Sequence, residues 1–387
     1  GRGKVATAAP ENAAKRSAEA ALADEAFAIN LSVENTALAY WNLATSLTLL
    51  ELLQETEAIQ ADLLEMGRTL VDADEYAEAD LNFLRGRLEL TRGRVASAEE
   101  DVILGRVNLG RVMGQRFMTV AEAPIAADPL PEIPAEGVGD AFAIEAMVDE
   151  AMMRRFDLAA ARSRKAAAEI LASGAAFNTK RRVDLQMAVG YAGLHEGGDT
   201  SKFGDLVDGW WEALSDFSAG PSFRLGLSFE LPFKNRVARG ESVQAHALQQ
   251  QSRINFRDLE RTVVNEIERL TGAMVQAIQE GRRREYSVAR YSEALDSEIE
   301  IFRSGEGSSI DVILTQEELL NEQVQLVSAR RTIAFLATQL SFEMGRIVDC
   351  SIDGEEVTVM AFYPVGDIAS FASTPPSGGK GSTDGSE

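Results

Sequence analysis

Between Ser304 and Gly345 the sequence repeats every seven residues, and that period limits the fold more than any other feature. Val312, Leu319, Leu326, Ile333 and Leu340 form one strip, and Ile313, Leu320, Val327 and Ala334 form a second strip beside it. No proline interrupts the run. A sustained heptad is the pattern of helices packed side by side along their length, with each apolar side chain seated among four residues of a neighbour. The remaining sequence must therefore supply partner helices of comparable length.

It does so twice. From Pro10 to about Met66 the chain is rich in Ala, Leu and Glu, which favours one long helix. Gly67 reads as its stop, Arg68 to Val71 as a short tip, and Asp72-Ala73-Asp74-Glu75 as an acid-capped helix start. Leu81, Leu88, Val95, Val102 and Leu109 then recur at heptad spacing, with Leu84, Thr91, Ala98, Gly105 and Val112 beside them. The small residues of the second strip let helix axes approach closely. Residues 1–114 are thus a first helical hairpin with its tip near 67–72. Residues 236–345 form a second hairpin with its tip near 304–309, where Gly305-Glu306-Gly307 makes the turn. The rising helix of that second hairpin, Arg236 to Arg303, would span on the order of 100 Å at 1.5 Å per residue.

Residues 115–139 carry Pro124, Pro129, Pro131 and Pro134 and read as a connector, and 140–177 as one helix. Within 178–235 the period changes to two. Val183, Leu185, Met187, Val189 and Tyr191 alternate with Asp184, Gln186, Ala188, Gly190 and Ala192. Phe223, Leu225, Leu227, Phe229, Leu231 and Phe233 alternate with Ser222, Arg224, Gly226, Ser228, Glu230 and Pro232. Each run has the length of a tilted membrane strand, about 9–11 residues, with one apolar and one small or polar face. The same alternation also describes a soluble hairpin with one buried face, but two lone strands between very long helices have no sheet to join. Residues 346–387 hold one short strand around Val357-Thr358-Val359 and a Pro/Gly/Ser-rich tail expected to be disordered.

Composition removes several function classes. A net charge of −23 argues against a nucleic-acid partner, which needs basic patches. One cysteine, Cys350, excludes an internal disulfide framework, and two separated histidines, His195 and His246, argue against a histidine metal site. The tail sequence Gly379-Lys380-Gly381-Ser382-Thr383 is a phosphate-loop lookalike with no strand before it or helix after it. Asp72, Asp74, Glu78 and Asp80 lack the glycine and closing glutamate of a calcium loop. No catalytic constellation stands out, so neither an enzyme nor a cofactor is expected. No apolar run reaches the ~18–20 residues of a membrane-spanning helix, which leaves barrel strands untouched as a possibility.

The two hairpins are copies, each closing on the same punctuation: Leu109-Gly-Arg-Val-Met-Gly114 and Leu340-Ser-Phe-Glu-Met-Gly345. Gly1-Arg-Gly-Lys-Val aligns with Asn235-Arg-Val-Ala-Arg, so a helix and a strand pair are expected ahead of Gly1, in an N-terminally incomplete copy. The order strand, Leu-Pro-Phe, long helix, glycine turn, Ile-Asp-Val, long helix, Met-Gly resembles the TolC family of outer-membrane efflux proteins over essentially Gly1 to Gly345. Arg155-Phe156-Asp157-Leu158 also resembles the family's Arg-Pro-Asp-Leu stretch, with Phe156 in place of proline.

The resemblance implies a mainly helical fold with a small β part: antiparallel coiled-coil hairpins in an α-barrel, joined to transmembrane β-barrel strands. It implies a homotrimer in the outer membrane of a Gram-negative bacterium, reaching into the periplasm. It further implies passive export in a tripartite efflux or type I secretion system, with outer-membrane lipid, a periplasmic adaptor protein and an inner-membrane pump or ABC transporter as partners. The family supplies four strands per protomer where two are found here. By the same resemblance Asp311 matches an acid at the closed periplasmic mouth, and Phe302 a constriction residue. The family's second acid is replaced by Leu314 and a nearby basic position by Gly307. Independently of any gate, Ser308-Ser309-Ile310-Asp311 reads as a helix-capping box, and Phe302 as a coiled-coil contact. Adaptor contacts are expected at the tips: Gly67, Leu70 and Val71 on one hairpin, Gly305, Ser308, Ser309 and Ile310 on the other. Trp210 and Trp211 read as interfacial anchors or as the anchor of a short loop helix. The rival reading is a soluble antiparallel coiled-coil scaffold built on the same heptads.

Overall fold

The computed structural model describes residues 4–73, 77–135, 142–191, 221–230, 235–353 and 356–362. The architecture is mainly helical with a small β part. Helix α1 (Lys4–Asp72) and α2 (Glu78–Val112) form the first hairpin. A 3-10 turn follows at Val120–Glu122, then α3 (Ile144–Arg154), α4 (Phe156–Asn178), strands β1 (Arg182–Tyr191) and β2 (Pro221–Glu230), α5 (Arg236–Arg303), α6 (Ser309–Glu343), β3 (Val348–Asp353) and β4 (Glu356–Phe362). The chain forms two compact units: Gly1–Ala20 with Ala161–Phe256, and Ala21–Ala160 with Arg257–Glu387.

In the larger unit the heptads do what their spacing predicts. Val312, Leu319, Ile333 and Leu340 are buried, as are Ile313, Leu320, Val327 and Ala334. Leu81, Leu88, Val95 and Leu109 are buried on α2 with Leu84, Thr91 and Ala98. Near the hairpin ends, Leu63, Leu64 and Leu70 of α1, Leu81, Leu84 and Leu88 of α2, Leu295 and Phe302 of α5, and Val312, Ile313 and Leu319 of α6 form a single core. Four helices therefore share one seam. Gly105 marks a close approach: a Cβ there would sit 3.1 Å from the Leu43 Cδ1 of α1.

The duplication is visible in the helix ends. Gly114 and Gly345 both adopt positive φ, 69° and 67°. Gln115 N–H donates to the Gly110 carbonyl at 2.9 Å and Arg346 N–H to the Ser341 carbonyl at 2.8 Å. This is the same left-handed glycine closure, satisfying the last carbonyls of α2 and of α6. The proline-rich connector is tied to the helices by arginines that take four of its carbonyls. Arg106 donates to the carbonyls of Ala123 at 2.6 Å, Ala121 at 3.2 Å and Pro124 at 3.3 Å. Arg282 of α5 donates twice to the Pro134 carbonyl, at 3.0 and 2.7 Å.

The smaller unit holds the strand pair, the start of α1, most of α4 and the start of α5. Alanines Ala9, Ala13, Ala20, Ala167 and Ala172 are buried there, and a Cβ on Gly174 would meet Ala9 Cβ at 2.5 Å. Small side chains let the helices of this unit approach closely. Strands β1 and β2 pair antiparallel, and β3 and β4 form a second two-stranded sheet.

Four expectations need correction. The first hairpin does not turn at Gly67: α1 continues to Asp72, because Leu70 is buried in the shared core and its packing outweighs the helix cost of one glycine, about 1 kcal/mol. Consequently Asp72 ends α1 instead of capping α2, whose N-cap is Ala77. The helix expected over 140–177 is two, broken at Arg155, which is extended with ψ 124°. The C-terminal segment carries two strands where one was expected, because the mixed run Val348–Asp353 pairs with Glu356–Phe362.

Candidate functional site

The β1–β2 ribbon is the first candidate. Its register places Val183 opposite Phe229, Leu185 opposite Leu227, Met187 opposite Leu225, and Val189 opposite Phe223. Those four pairs share one face because side chains alternate along a strand. All eight side chains are 43 to 79 % exposed. The opposite face pairs Asp184 with Ser228, Gln186 with Gly226, Ala188 with Arg224, and Gly190 with Ser222. A strand of 10 residues rises about 33 Å, and a tilt of about 45° brings that to roughly the 25 Å of an outer-membrane apolar band. A continuous apolar face of this size in a soluble protein would be buried against another layer. Here it is exposed, as is most of the opposite face, among the described residues. Leu231, Phe233, Trp210 and Trp211 lie outside the described residues.

The α5–α6 tip is the second candidate, and its residues part company. Ser308 is the N-cap of α6, its hydroxyl accepting from the Ile310 N–H at 3.2 Å. That bond satisfies one of the unpaired donors at a helix start. Gly305 supplies the turn at φ 79°. A Cβ on Gly307 would meet the Phe302 nitrogen at 2.9 Å, so this position is confined to glycine by the returning backbone. Asp311, Ile310, Ser308 and Leu314 are exposed, whereas Ser309 is buried. Phe302 is 0 % exposed at the centre of the shared core. Its ring packs the hairpin from within and faces no open space in the protomer.

At the end of the other hairpin, Gly67 and Leu70 are buried and Val71 is half-buried, all three on the last turns of α1. Their contacts are internal. Of the tip residues singled out from the sequence, Gly305, Ser308, Ile310 and Asp311 are exposed. Among the described residues no cluster of His, Cys, Asp and Glu is arranged to hold a metal, and no helix is long and apolar enough to cross a membrane.

The sequence reasoning missed a buried ionic junction. Arg155, the residue between α3 and α4, donates to both carboxylate oxygens of Asp157, at 3.0 and 2.7 Å. It also reaches the carboxylate of Glu343 and donates to the Glu343 carbonyl at 3.2 Å, at the end of α6. Its guanidinium lies 5.6 Å from the centre of the Phe342 ring. The Arg-x-Asp-Leu stretch was the available signal, but nothing local announces a partner 188 residues away.

No protein-family model matches the chain, and no curated protein matches its sequence. Solved structures match its fold. The outer membrane protein VceC from Vibrio cholerae is similar with a TM-score of 0.69 and 20% identity, over 87% of this chain and 75% of that one. The outer-membrane channel OprN gives 0.69 and 18% identity, over 86% and 70% of the two chains. The CmeC outer membrane channel of Campylobacter jejuni gives 0.66 and 15%, over 88% and 68%. With paired coiled-coil hairpins, a duplicated glycine closure and an exposed apolar ribbon, the chain has the TolC-like channel fold.

Proposed function

We propose that this chain is one subunit of an outer-membrane efflux channel, a passive export conduit energised by other proteins. The observation that carries the reading is the in-register apolar face of β1–β2, eight exposed large side chains with no protein layer over them among the described residues. Lipid is the layer that suits it. A ribbon with unpaired edges is not stable in hydrocarbon, so the strands of several subunits must close a barrel. A homotrimer supplies that closure, and the coiled-coil hairpins continue as its periplasmic tunnel. The fold likeness to outer-membrane channels supports the same reading.

In this reading the α5–α6 tips meet a periplasmic adaptor through Gly305, Ser308 and Ile310, with Ser309 supporting them from within. Gly67, Leu70 and Val71 shape the neighbouring tip through its core. An inner-membrane pump or ABC transporter, in a tripartite efflux or type I secretion system, supplies the energy. Asp311, exposed in the first turn of α6, forms a ring of three carboxylates at the mouth that favours cations and gates it. Phe302 holds the tip rigid behind that ring. The acidic balance of the chain, −23, provides the same preference along the conduit.

The test is detergent dependence of the full-length protein. Purification only in detergent or lipid, as a trimer, is the expected result. A soluble, elongated monomer obtained without detergent would overturn the channel and leave a coiled-coil scaffold.

A further inference from the structure

The root of the β1–β2 ribbon carries a band of cations on a chain whose net charge is −23. The register sets Arg182, at the start of β1, opposite Glu230, at the end of β2. The end of α4 and the start of α5 are therefore both tied to this root. Within the smaller unit α4 runs against its neighbours. It enters the unit at Ala161 and ends at the ribbon, whereas α1 and α5 begin in the unit and leave it at Ala20 and Phe256.

Two contacts set the levels of these three helices. A Cβ on Gly174 of α4 would lie 2.5 Å from the Ala9 Cβ of α1. The Lys165 Nζ of α4 lies 4.9 Å from the centre of the Phe256 ring of α5. At 1.5 Å per residue from those contacts, Lys4 of α1, Lys180 and Arg181 after α4, and Arg236 and Arg239 of α5 fall in one band on the order of 10 Å deep. All five are exposed. The three helices bring one acid to that band, Glu241. Arg181, Arg236 and Arg239 have no acidic partner among the described residues. The Lys180 ammonium lies over the Phe177 ring, 3.7 Å from its centre. Val5 and Val237 are exposed at the same level. Cations interleaved with apolar and aromatic side chains are the composition of a membrane interface, where long basic side chains lay their stems on apolar surface and reach out with the charge.

We propose that this band is a collar that binds the phosphates of anionic phospholipid in the leaflet nearest the helices. The proposal rests on the reading of the ribbon's apolar face as lipid-facing. That face begins at Val183 and Phe229, one residue beyond the root. A bilayer that covers it brings its phosphate layer down to the level of the five cations. Arginine and lysine both bind phosphate there, arginine through its planar fork. A zwitterionic headgroup carries its own cation and gains less. The collar also offsets the repulsion that a chain of −23 meets at an anionic membrane.

Electron spin resonance of the full-length protein in phosphatidylcholine vesicles tests this, with spin-labelled phosphatidylglycerol or phosphatidylcholine as the probe. The protein should immobilise both lipids, and phosphatidylglycerol with a preference of roughly fivefold where one cation meets one headgroup. The preference should fall with added potassium chloride. It should approach one when Lys4, Lys180, Arg181, Arg236 and Arg239 are all changed to Gln. Arg236→Gln with Arg239→Gln should lower it in part. Arg253→Gln with Arg257→Gln should leave it unchanged, since those exposed residues lie about 20 Å or more further along α5. If the fivefold variant does not fold, the two double variants and the salt titration decide. Immobilised lipid without a preference overturns the collar and leaves the channel reading standing. A preference that survives the substitutions also overturns it. No immobilised lipid at all overturns the collar and the lipid-facing ribbon together. Inorganic phosphate and chloride at equal ionic strength should act alike; a loss specific to phosphate would mark a site for the free ion and overturn the lipid collar.

Discussion

Replacing Leu225 by arginine places a charge at the middle of the apolar ribbon face. Leu225 is the fifth residue of β2 and lies opposite Met187. Four residues of strand lie below it and five above, so a tilted strand puts it near the midplane of an apolar band about 25 Å tall. The cost of Arg or Lys at that depth on a lipid-facing barrel position is about 2–4 kcal/mol. At about 1.4 kcal/mol per tenfold, that lowers the inserted-to-unfolded ratio by roughly 30- to 1,000-fold. The control is Gln186→Arg, on the other face of the same ribbon, opposite Gly226. It should cost about 1 kcal/mol or less if, as proposed, that face lines the polar interior of a closed barrel. Reversible urea titration in lipid vesicles measures both. Equal costs for the two variants, or an undiminished Leu225→Arg, would refute the assignment of the apolar face to lipid. In a soluble scaffold the arginine would relieve an exposed apolar patch, and Leu225→Arg would be neutral or better behaved.

Other expectations follow from the same structure. Arg155→Met leaves Asp157 and Glu343 buried without their cation, a loss of about 3–5 kcal/mol visible as a fall in Tm. Raised carboxyl pKa values in the folded state give stability that is fully present below the unfolded value and is lost as pH rises. For Glu34, which burial and then the charge of Glu343 push from the usual 4.5 up to about 7, thermal stability should decline by at most about 3 kcal/mol as pH climbs, and Glu34→Gln should flatten that slope. Ser308→Ala removes the observed cap and should cost about 0.5–2 kcal/mol, while Asp311→Asn leaves that cap intact and should be close to neutral in a melt. Gly105→Val drives a side chain into Leu43 and should cost about 1–3 kcal/mol by separating α1 from α2.

The heptads and the period-two runs make most of this fold legible in the sequence. Val312, Ile333 and Leu340 are buried because their spacing puts them on one helix face, and Val183 shares a face with Phe229 because alternation does the same for a strand. The Met-Gly punctuation shared by Gly114 and Gly345 became the same positive-φ closure. What failed was local punctuation overruled by distant contacts. Gly67 looks like a stop in isolation, yet Leu70 reaches a core shared with α5 and α6, so the helix runs on. Arg155 breaks a helix that carries neither glycine nor proline at the break, and its partner Glu343 is far away in sequence. The mouth was legible only in part. Asp311 stands exposed, but the buried position of Phe302 depends on which of two packed faces it occupies, and heptad spacing alone does not separate a core aromatic from a constriction.

Planar-bilayer recording of the purified full-length protein decides whether it forms a channel. Discrete, cation-preferring conductance steps are expected in the wild type, with the preference reduced in Asp311→Asn. A correctly folded, helical protein that gives no steps in any lipid tried, while remaining monodisperse in plain buffer, would contradict the channel assignment.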